Sequence, residues 1–438
     1  MARKKISKKS SKGKKDGEQP LLQTAKGMRD ILPEEQAWWH RVRDASEEVA
    51  DFYNFMRIDT PLVERAELFE RGVGVGTDIV EKEMYFLKTR GDRLVLRPEG
   101  TASAVRAYLE HSLSRLGQPV KLYYIGPMFR HEQPQEGRYR QHHQVGFEIL
   151  GAESDPLYDA QVIVLGTRML KSLKLKKLII RLNSIGCRTC RPGHRKKLVD
   201  YYRRFENKLC KDCKRRLNVN PLRLLDCKNA GCAEFKAQAP IMVDYLCSSC
   251  RAHFKGVLEY LDETGLSYTL DPYLVRGLDY YNRTVVEFFV EESNIALGGG
   301  GRYDYLGELL AGRRVDLPAV GISLGIERLV KAMSVQGVAG RTRSKPRVFL
   351  IQIGEEAKRK ALGLIEKFHE ANVKVIESLG RGSLKSQLRV ADKEEVDIAL
   401  LFGQREVFEG MVIIRDMKSG AQETVPLEKV VEEVKRRL

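Results

Sequence analysis

The chain contains no apolar run near the ~18 residues that a membrane-crossing helix requires, which argues against a membrane protein. The glycine-rich stretch GVGVGTD at 72–78 lacks the Gly-Lys-Ser/Thr ending of a Walker loop, so a P-loop nucleotidase is not expected. No internal repeat is visible, which removes solenoids and propellers. Cysteine is missing everywhere outside 187–250, a distribution unlike a disulfide framework. The opening segment MARKKISKKSSKGKKDGEQP has almost no apolar content, hence no signal-peptide h-region, and its Lys-rich simplicity differs from an Arg-rich transit peptide.

What is present is length and positive charge. With 438 residues, two or three domains are expected. The formal charge is +17; residues 1–20 carry eight Lys/Arg against Asp16 and Glu18, leaving +11 on the rest. Such a balance suits a polyanionic partner. The tail itself, expected to be disordered, is read either as a solubilising extension or as a weak, sequence-blind grip on RNA phosphates.

Periodicity predicts an amphipathic helix over 33–53 and a second over 158–173. Strands are expected at 120–129, 143–150 and 178–183, with strand-like sequence over 267–290 and strand then helix over 315–333. Extended or loop structure is expected around Thr60-Pro61 and at 72–76. After a linker at 337–346, RVFLIQIG, KVIESL, DIALLFG and MVIIRDM alternate with helical stretches, an α/β module. In the strand 143–150, alternation puts Gln144, Gly146 and Glu148 on one face and Val145, Phe147 and Ile149 on the other. The first face joins an amide to a carboxylate across a glycine, a pattern that leaves room for a small ligand.

Arginine is concentrated in the loop from Arg130 through Arg138 and Arg140, and it is the side chain suited to phosphate because it stays charged when desolvated. Four further segments carry chemistry: RPEGT with Glu99 and Thr101, LVRGLDYY with Arg276, Tyr280 and Tyr281, GGGGRYDYL, and GISLGIERLV with Arg328. The four adjacent glycines predict close backbone approach. Together with YIGPMFRHE and GRYRQHHQ, these motifs resemble, in order, those of the bacterial histidyl-tRNA synthetases, and TPLVE at 60–64 resembles the first motif of class II synthetases. The resemblance runs from about Lys26 to the C-terminus.

That resemblance implies an α+β fold: a class II antiparallel sheet flanked by helices over 21–336, interrupted at 185–265 by a cysteine-rich insertion, with an α/β anticodon-binding domain at 345–438. It implies a cytoplasmic homodimer that uses ATP with Mg2+ to activate L-histidine and transfers it to tRNA(His). It places Arg130 and Arg276 at the α-phosphate, with Glu132, Arg138 and Arg328 on the rest of ATP. Glu99, Thr101 and Gln144 are expected at the α-amino group, and Glu148, Tyr280 and Tyr281 around the imidazole. Gln133 and Gln135 are expected on the tRNA acceptor side, where many relatives carry basic residues at the positions of Gln133 and Glu136. The alternative is a synthetase-like regulatory subunit or RNA-binding paralogue without activity, though such subunits lack the C-terminal module and have eroded arginine motifs.

The cysteines fall into Cys187/Cys190, Cys210/Cys213, Cys227/Cys232 and Cys247/Cys250, a grouping suited to structural Zn2+ on thiolates. A reduced, metal-free set is the competing account, and spacing does not fix which pairs combine. The insertion is rich in Lys and Arg, read either as a solvated basic surface or as a face for the tRNA acceptor stem.

Overall fold

The computed structural model describes residues 21–133, 137–291, 293, 295–340, 347–378 and 383–438. The chain divides into two compact units, 1–341 and 342–438, and the basic tail lies outside the described residues.

The first unit is built on an eight-stranded sheet. Its strands are β1 (Met56–Arg57), β2 (Val120–Phe129), β3 (Gln141–Leu150), β4 (Leu178–Ser184), β5 (Thr269–Leu270), β6 (Asn282–Val290), β7 (Gly298–Arg302) and β8 (Ala319–Gly325). Their spatial order is β1-β2-β3-β8-β7-β6-β4-β5. Only the short edge strands β1 and β5 pair in parallel; the interior is antiparallel. The family-implied fold, α+β with helices flanking an antiparallel-rich sheet, is therefore the one observed.

Alternation gives this sheet two buried faces. Val145, Phe147 and Ile149 join one core with Val286 and Phe288, beneath α1 (Gln36–Phe52), the helix Pro156–Ser172 and the helix Ile326–Val335. Val120, Leu122 and Val285 face a second core shared with the helix Thr101–Glu110 and with the cysteine-rich insertion. The helix Pro156–Ser172 starts as its sequence dictates: Asp155 accepts from the amide of Leu157, and Pro156 occupies the first turn, where no amide is needed.

Two expectations need correction. Residues 72–76 do not form an extended loop: Glu70–Gly74 is a helical turn of π type, because Phe69 and Val73 are drawn into the second core. The stretch 267–290 is not continuous strand either; LVRGLDYY is a loop between β5 and β6, following a break at Asp271-Pro272. The four glycines of β7 do permit close approach, but of the adjacent strands: a Cβ at Gly298 or Gly300 would overlap backbone atoms of β8.

The second unit is a five-stranded mixed sheet in the order Val375–Glu377, Val348–Ile353, Ile398–Gly403, Met411–Asp416, Gln422–Pro426. Its first three strands run parallel, with helices Glu355–Glu370 and Leu384–Lys393 as crossovers. The edge strand Gln422–Pro426 had no apolar signature in sequence, being exposed along most of its length.

Arg302 of β7 is fully buried, and its guanidinium pairs with the equally buried carboxylate of Asp159 and with Asp304 at 3.1 Å. His253, from the helix Ser248–Glu263, stands 3.3 Å from Asp159. The pair ties the sheet to the helix Pro156–Ser172. Removing one partner leaves an uncompensated buried charge, so Asp159→Ala is expected to destabilise the first unit by about 3–5 kcal/mol in denaturant unfolding; a loss under about 1 kcal/mol would show that the pair is not a structural pin.

Candidate functional site

One cavity of about 690 Å³ gathers residues that are far apart in sequence. Glu99, Thr101, Arg130, Glu132, Arg138, Gln144, Arg276, Tyr280, Tyr281 and Arg328 all line it. The sheet supplies its floor. Register sets Gln144 opposite Gly325 and Gly146 opposite Ser323, so β3 and β8 present their polar faces side by side. Arg328 then follows directly in the first turn of the helix that leaves β8.

Each arginine is held by a specific acceptor. Arg130 donates through Nε to the carbonyl of Pro98 at 2.9 Å. Arg328 donates to the carbonyls of Gly137 and Ala296 at 3.1 and 2.8 Å. Arg138 pairs with Glu132 at 3.1 Å. Arg276, from the LVRGLDYY loop, forms an ion pair with Glu287 on β6. Burial, reinforced by Arg130 and Arg138, lowers the pKa of Arg328; burial also drives His142 down to about 3, with Arg130 and Arg328 adding to it, so the imidazole is neutral. The result is four guanidinium groups held at fixed positions around one cavity, an arrangement able to stabilise charge on phosphate oxygens.

Glu148 does not line the cavity wall. It lies beneath, where its Oε1 accepts from Thr101 Oγ1 at 2.7 Å and from the phenol of Tyr124 at 3.3 Å, and its Oε2 accepts from Tyr303. Gly146 therefore makes room for the Tyr124 ring and not for a ligand, a correction to the reading of that face: a Cβ there would overlap the ring. Gly321 on β8 similarly leaves space for the Glu148 carboxylate. Glu99 caps the helix Thr101–Glu110, accepting from the amides of Thr101 and Ala102 at 2.7 and 2.9 Å, while Tyr280 approaches it at 3.4 Å. Burial raises both carboxylates, Glu148 to about 8.

Gln133 is exposed and stands off the cavity lining. Gln135 and Glu136 lie outside the described residues. None of the glycines of GVGVGTD lines the cavity, although Asp78 at its end does. Sequence reasoning missed Glu287, Tyr124, Tyr303 and His142. Tyr124, His142 and Tyr303 all stand inside quoted motifs, but their partners are fixed only by strand register.

The eight cysteines are free and form two quartets: Cys187, Cys190, Cys247 and Cys250; and Cys210, Cys213, Cys227 and Cys232. Within each, the ligand atoms all lie within 4.8 Å of one another. Sulfur–sulfur distances are 3.6 Å for Cys187–Cys190, 4.0 Å for Cys187–Cys247 and 3.9 Å for Cys210–Cys227. A tetrahedron with Zn–S bonds of about 2.3 Å has edges of about 3.8 Å, so both quartets fit that ion. Backbone amides of Thr189, Cys247, Cys210 and Asn229 donate to sulfurs at 3.1–3.4 Å, as expected around thiolates.

The chain is similar to known proteins over nearly its whole length. The family model described as histidyl-tRNA synthetase matches residues 27–188 and 224–329, and the model described as anticodon binding domain matches 347–437. Curated histidine–tRNA ligases are similar over most of the chain. That of Dehalococcoides mccartyi is 44% identical over 421 residues, covering 95% of this chain and 100% of its own length. That of Halothermothrix orenii is 43% identical over 419 residues, covering 95% and 99%. The crystal structure of apo histidyl-tRNA synthetase from S. aureus superposes with a TM-score of 0.77 at 33% identity, covering 94% of this chain and 99% of that one.

The buried Glu148 makes stability depend on pH. Its folded pKa, about 8, lies above the ordinary glutamate value of about 4.3. Its stabilising contribution is thus fully present below the unfolded value and is lost as pH rises through the folded one. Glu148→Gln, which cannot ionise, is expected to lose less stability than the unaltered chain in thermal melts between pH 5 and pH 8.5 (about the span between the two values). Parallel pH profiles for the two proteins would contradict this.

Proposed function

The chain belongs to the histidyl-tRNA synthetase family, and from that premise we propose how its cavity performs a histidine–tRNA ligase reaction. The supporting observation is the convergence of Arg130, Arg276 and Arg328, three cations from three separate elements, on one cavity that also holds Glu99, Thr101 and Gln144. ATP, carried with Mg2+, enters with its phosphates against the arginines. Arg130 and Arg276 face the α-phosphate; Arg138 and Arg328 hold the outer phosphates, and Glu132 meets the adenine end. Glu99, Thr101 and Gln144 receive the α-amino group of L-histidine, and Tyr280 and Tyr281 flank its imidazole, with the buried Glu148 beneath the site. A site that satisfies both ring nitrogens rejects apolar amino acids of similar size, since these would leave buried polar groups unpaired.

The histidine carboxylate oxygen bonds to the α-phosphorus as the bond to the β-phosphate bridging oxygen breaks, releasing pyrophosphate. The arginines stabilise the charge that develops on the phosphate oxygens. The terminal ribose hydroxyl of tRNA(His) then attacks the adenylate carbonyl, AMP departs, and the hydroxyl proton passes to an adenylate phosphate oxygen. No general base from the chain is needed. Gln133 and Gln135 are assigned to the acceptor side of the loop, and residues 345–438 to anticodon binding.

The catalytic unit is read as 21–336 with its insertion at 185–265. A homodimer is supported by the apolar Leu62, Val63 and Phe86, which stand exposed around the small sheet of Val63–Arg65, Leu94–Leu96 and Tyr85–Phe86. No helix among the described residues is long and apolar enough to cross a membrane; a cytoplasmic location follows from where tRNA charging occurs. Both cysteine quartets are assigned structural zinc, which when bound cross-links the insertion. The inactive regulatory reading is disfavoured by the intact arginines and by the matched anticodon module.

Arg276→Ala is expected to lower histidine-dependent ATP–pyrophosphate exchange by about 100- to 1000-fold, with histidine affinity changed by no more than about threefold. Near-normal exchange would remove Arg276 from the mechanism. Elemental analysis of protein purified without chelator should find about two zinc ions per chain, and finding none would sink the zinc assignment.

A further inference from the structure

We propose that the second cysteine quartet holds a wall of the reaction cavity in place, and that Arg223, carried by that wall, is an additional phosphate-binding residue. The inference rests on the zinc reading above for its first half, and on packing for its second. Arg223 belongs to the single turn Pro221–Leu224, between Cys213 and Cys227 in sequence. It lines the same cavity as Arg130 and Arg276, together with Lys211 and Lys228 from the same wall. It also lies between the two stretches that match the synthetase family model, so no family motif assigns it a role.

The local chemistry points to an anion. Nη1 of Arg223 is buried without a hydrogen-bond partner, while Nη2 reaches Asp226 at 3.3 Å. Nη1 is directed at the LVRGLDYY loop: a Cβ on Gly277 would sit 2.9 Å from it. A buried guanidinium donor with no acceptor is costly unless a ligand supplies one. The same loop carries Asp279, which feels the Arg223 charge but accepts its hydrogen bond from Asn220, so the acceptor that Nη1 lacks is an oxyanion brought by a ligand. The wall also carries Asp212 and Asp226, which keep its charge from being uniformly positive.

The wall has little stability of its own. Its helices, Lys211–Val219 and Ala230–Lys236, have nine and seven residues, well below the ~12–15 at which isolated helices become even marginal. It is fastened to the catalytic unit by Arg215 and Arg216 on Asp78 at 2.6 and 2.9 Å and by Asn220 on Asp279 at 2.5 Å. Gly76 is the matching recess, since a Cβ there would lie 2.6 Å from Val219. The quartet joins both helices and the turn that carries Arg223, so its integrity sets where Nη1 points.

The phosphate oxygens could belong to ATP or to the 3′-terminal nucleotides of the tRNA, and kinetics separates the two. In the full-length chain, Arg223→Ala should keep the zinc content of the unaltered protein and raise the KM for ATP about tenfold in tRNA-free pyrophosphate exchange, the size of a lost charge-assisted hydrogen bond. Arg223→Lys should recover part of that loss. If exchange is unchanged and only the KM for tRNA rises in aminoacylation, the phosphate is the tRNA's. Cys213→Ser should lose one zinc of two and reproduce the Arg223→Ala defect. Unchanged KM for both substrates in Arg223→Ala, with zinc retained, would overturn the phosphate assignment. Loss of one zinc in Cys213→Ser with ordinary kinetics would overturn the metal-held wall, and absence of zinc from the unaltered protein would sink the zinc reading separately.

Discussion

Glu148 sits at the seam between β3 and β8 with no exposure to solvent worth the name, and three hydroxyls from three different segments converge on its carboxylate. Burying a carboxylate costs several kcal/mol unless its oxygens are satisfied. That requirement fixes the rest of the neighbourhood. Thr101 must start its helix at this level, Tyr124 must lie over Gly146, and β7 must deliver Tyr303. The residues that line the cavity are consequently mounted on parts whose positions are already determined from beneath. Pre-organisation of this kind keeps a polar site from relaxing when charge shifts within it.

A second buried charge system, Arg302 with Asp159, acts on the other side of the same strand arrangement. The motif GGGGRYDYL thus divides its labour. Its arginine fastens the sheet to a helix, its first tyrosine holds Glu148, and its glycines let β6, β7 and β8 approach closely. Little in this segment touches the cavity, yet the cavity floor depends on it. Arg97 plays a comparable part in RPEGT, donating to Thr60 and to the Pro127 carbonyl and so joining the TPLVE segment to β2.

Much of the fold was legible in the sequence where local period and burial coincide. Alternation over 143–150 correctly separated the core residues Val145, Phe147 and Ile149 from the polar face. The helix at 33–53 and the one at 158–173 are present with ends shifted by up to three residues, at Gln36–Phe52 and Pro156–Ser172. The α/β pattern of the C-terminal unit emerged except for Gln422–Pro426, whose polar edge carries no hydrophobic signal. What stayed hidden were partnerships across large sequence separation. Glu287 beneath Arg276, Tyr303 beneath Glu148 and the sorting of cysteines into quartets all follow from strand register and chain path. Gly146 was misread because a missing side chain announces close approach but not what approaches.

The first quartet has a topological consequence. Cys187 and Cys190 stand where the chain leaves β4, and Cys247 and Cys250 where it enters the helix Ser248–Glu263 on its way back to the sheet. The two ends of a stretch about sixty residues long are therefore brought side by side at one cysteine cluster. Chain closed in this way keeps the spacing of its entry and exit points, so changes at interior positions that touch neither the shared core nor the cavity leave the register of the sheet alone.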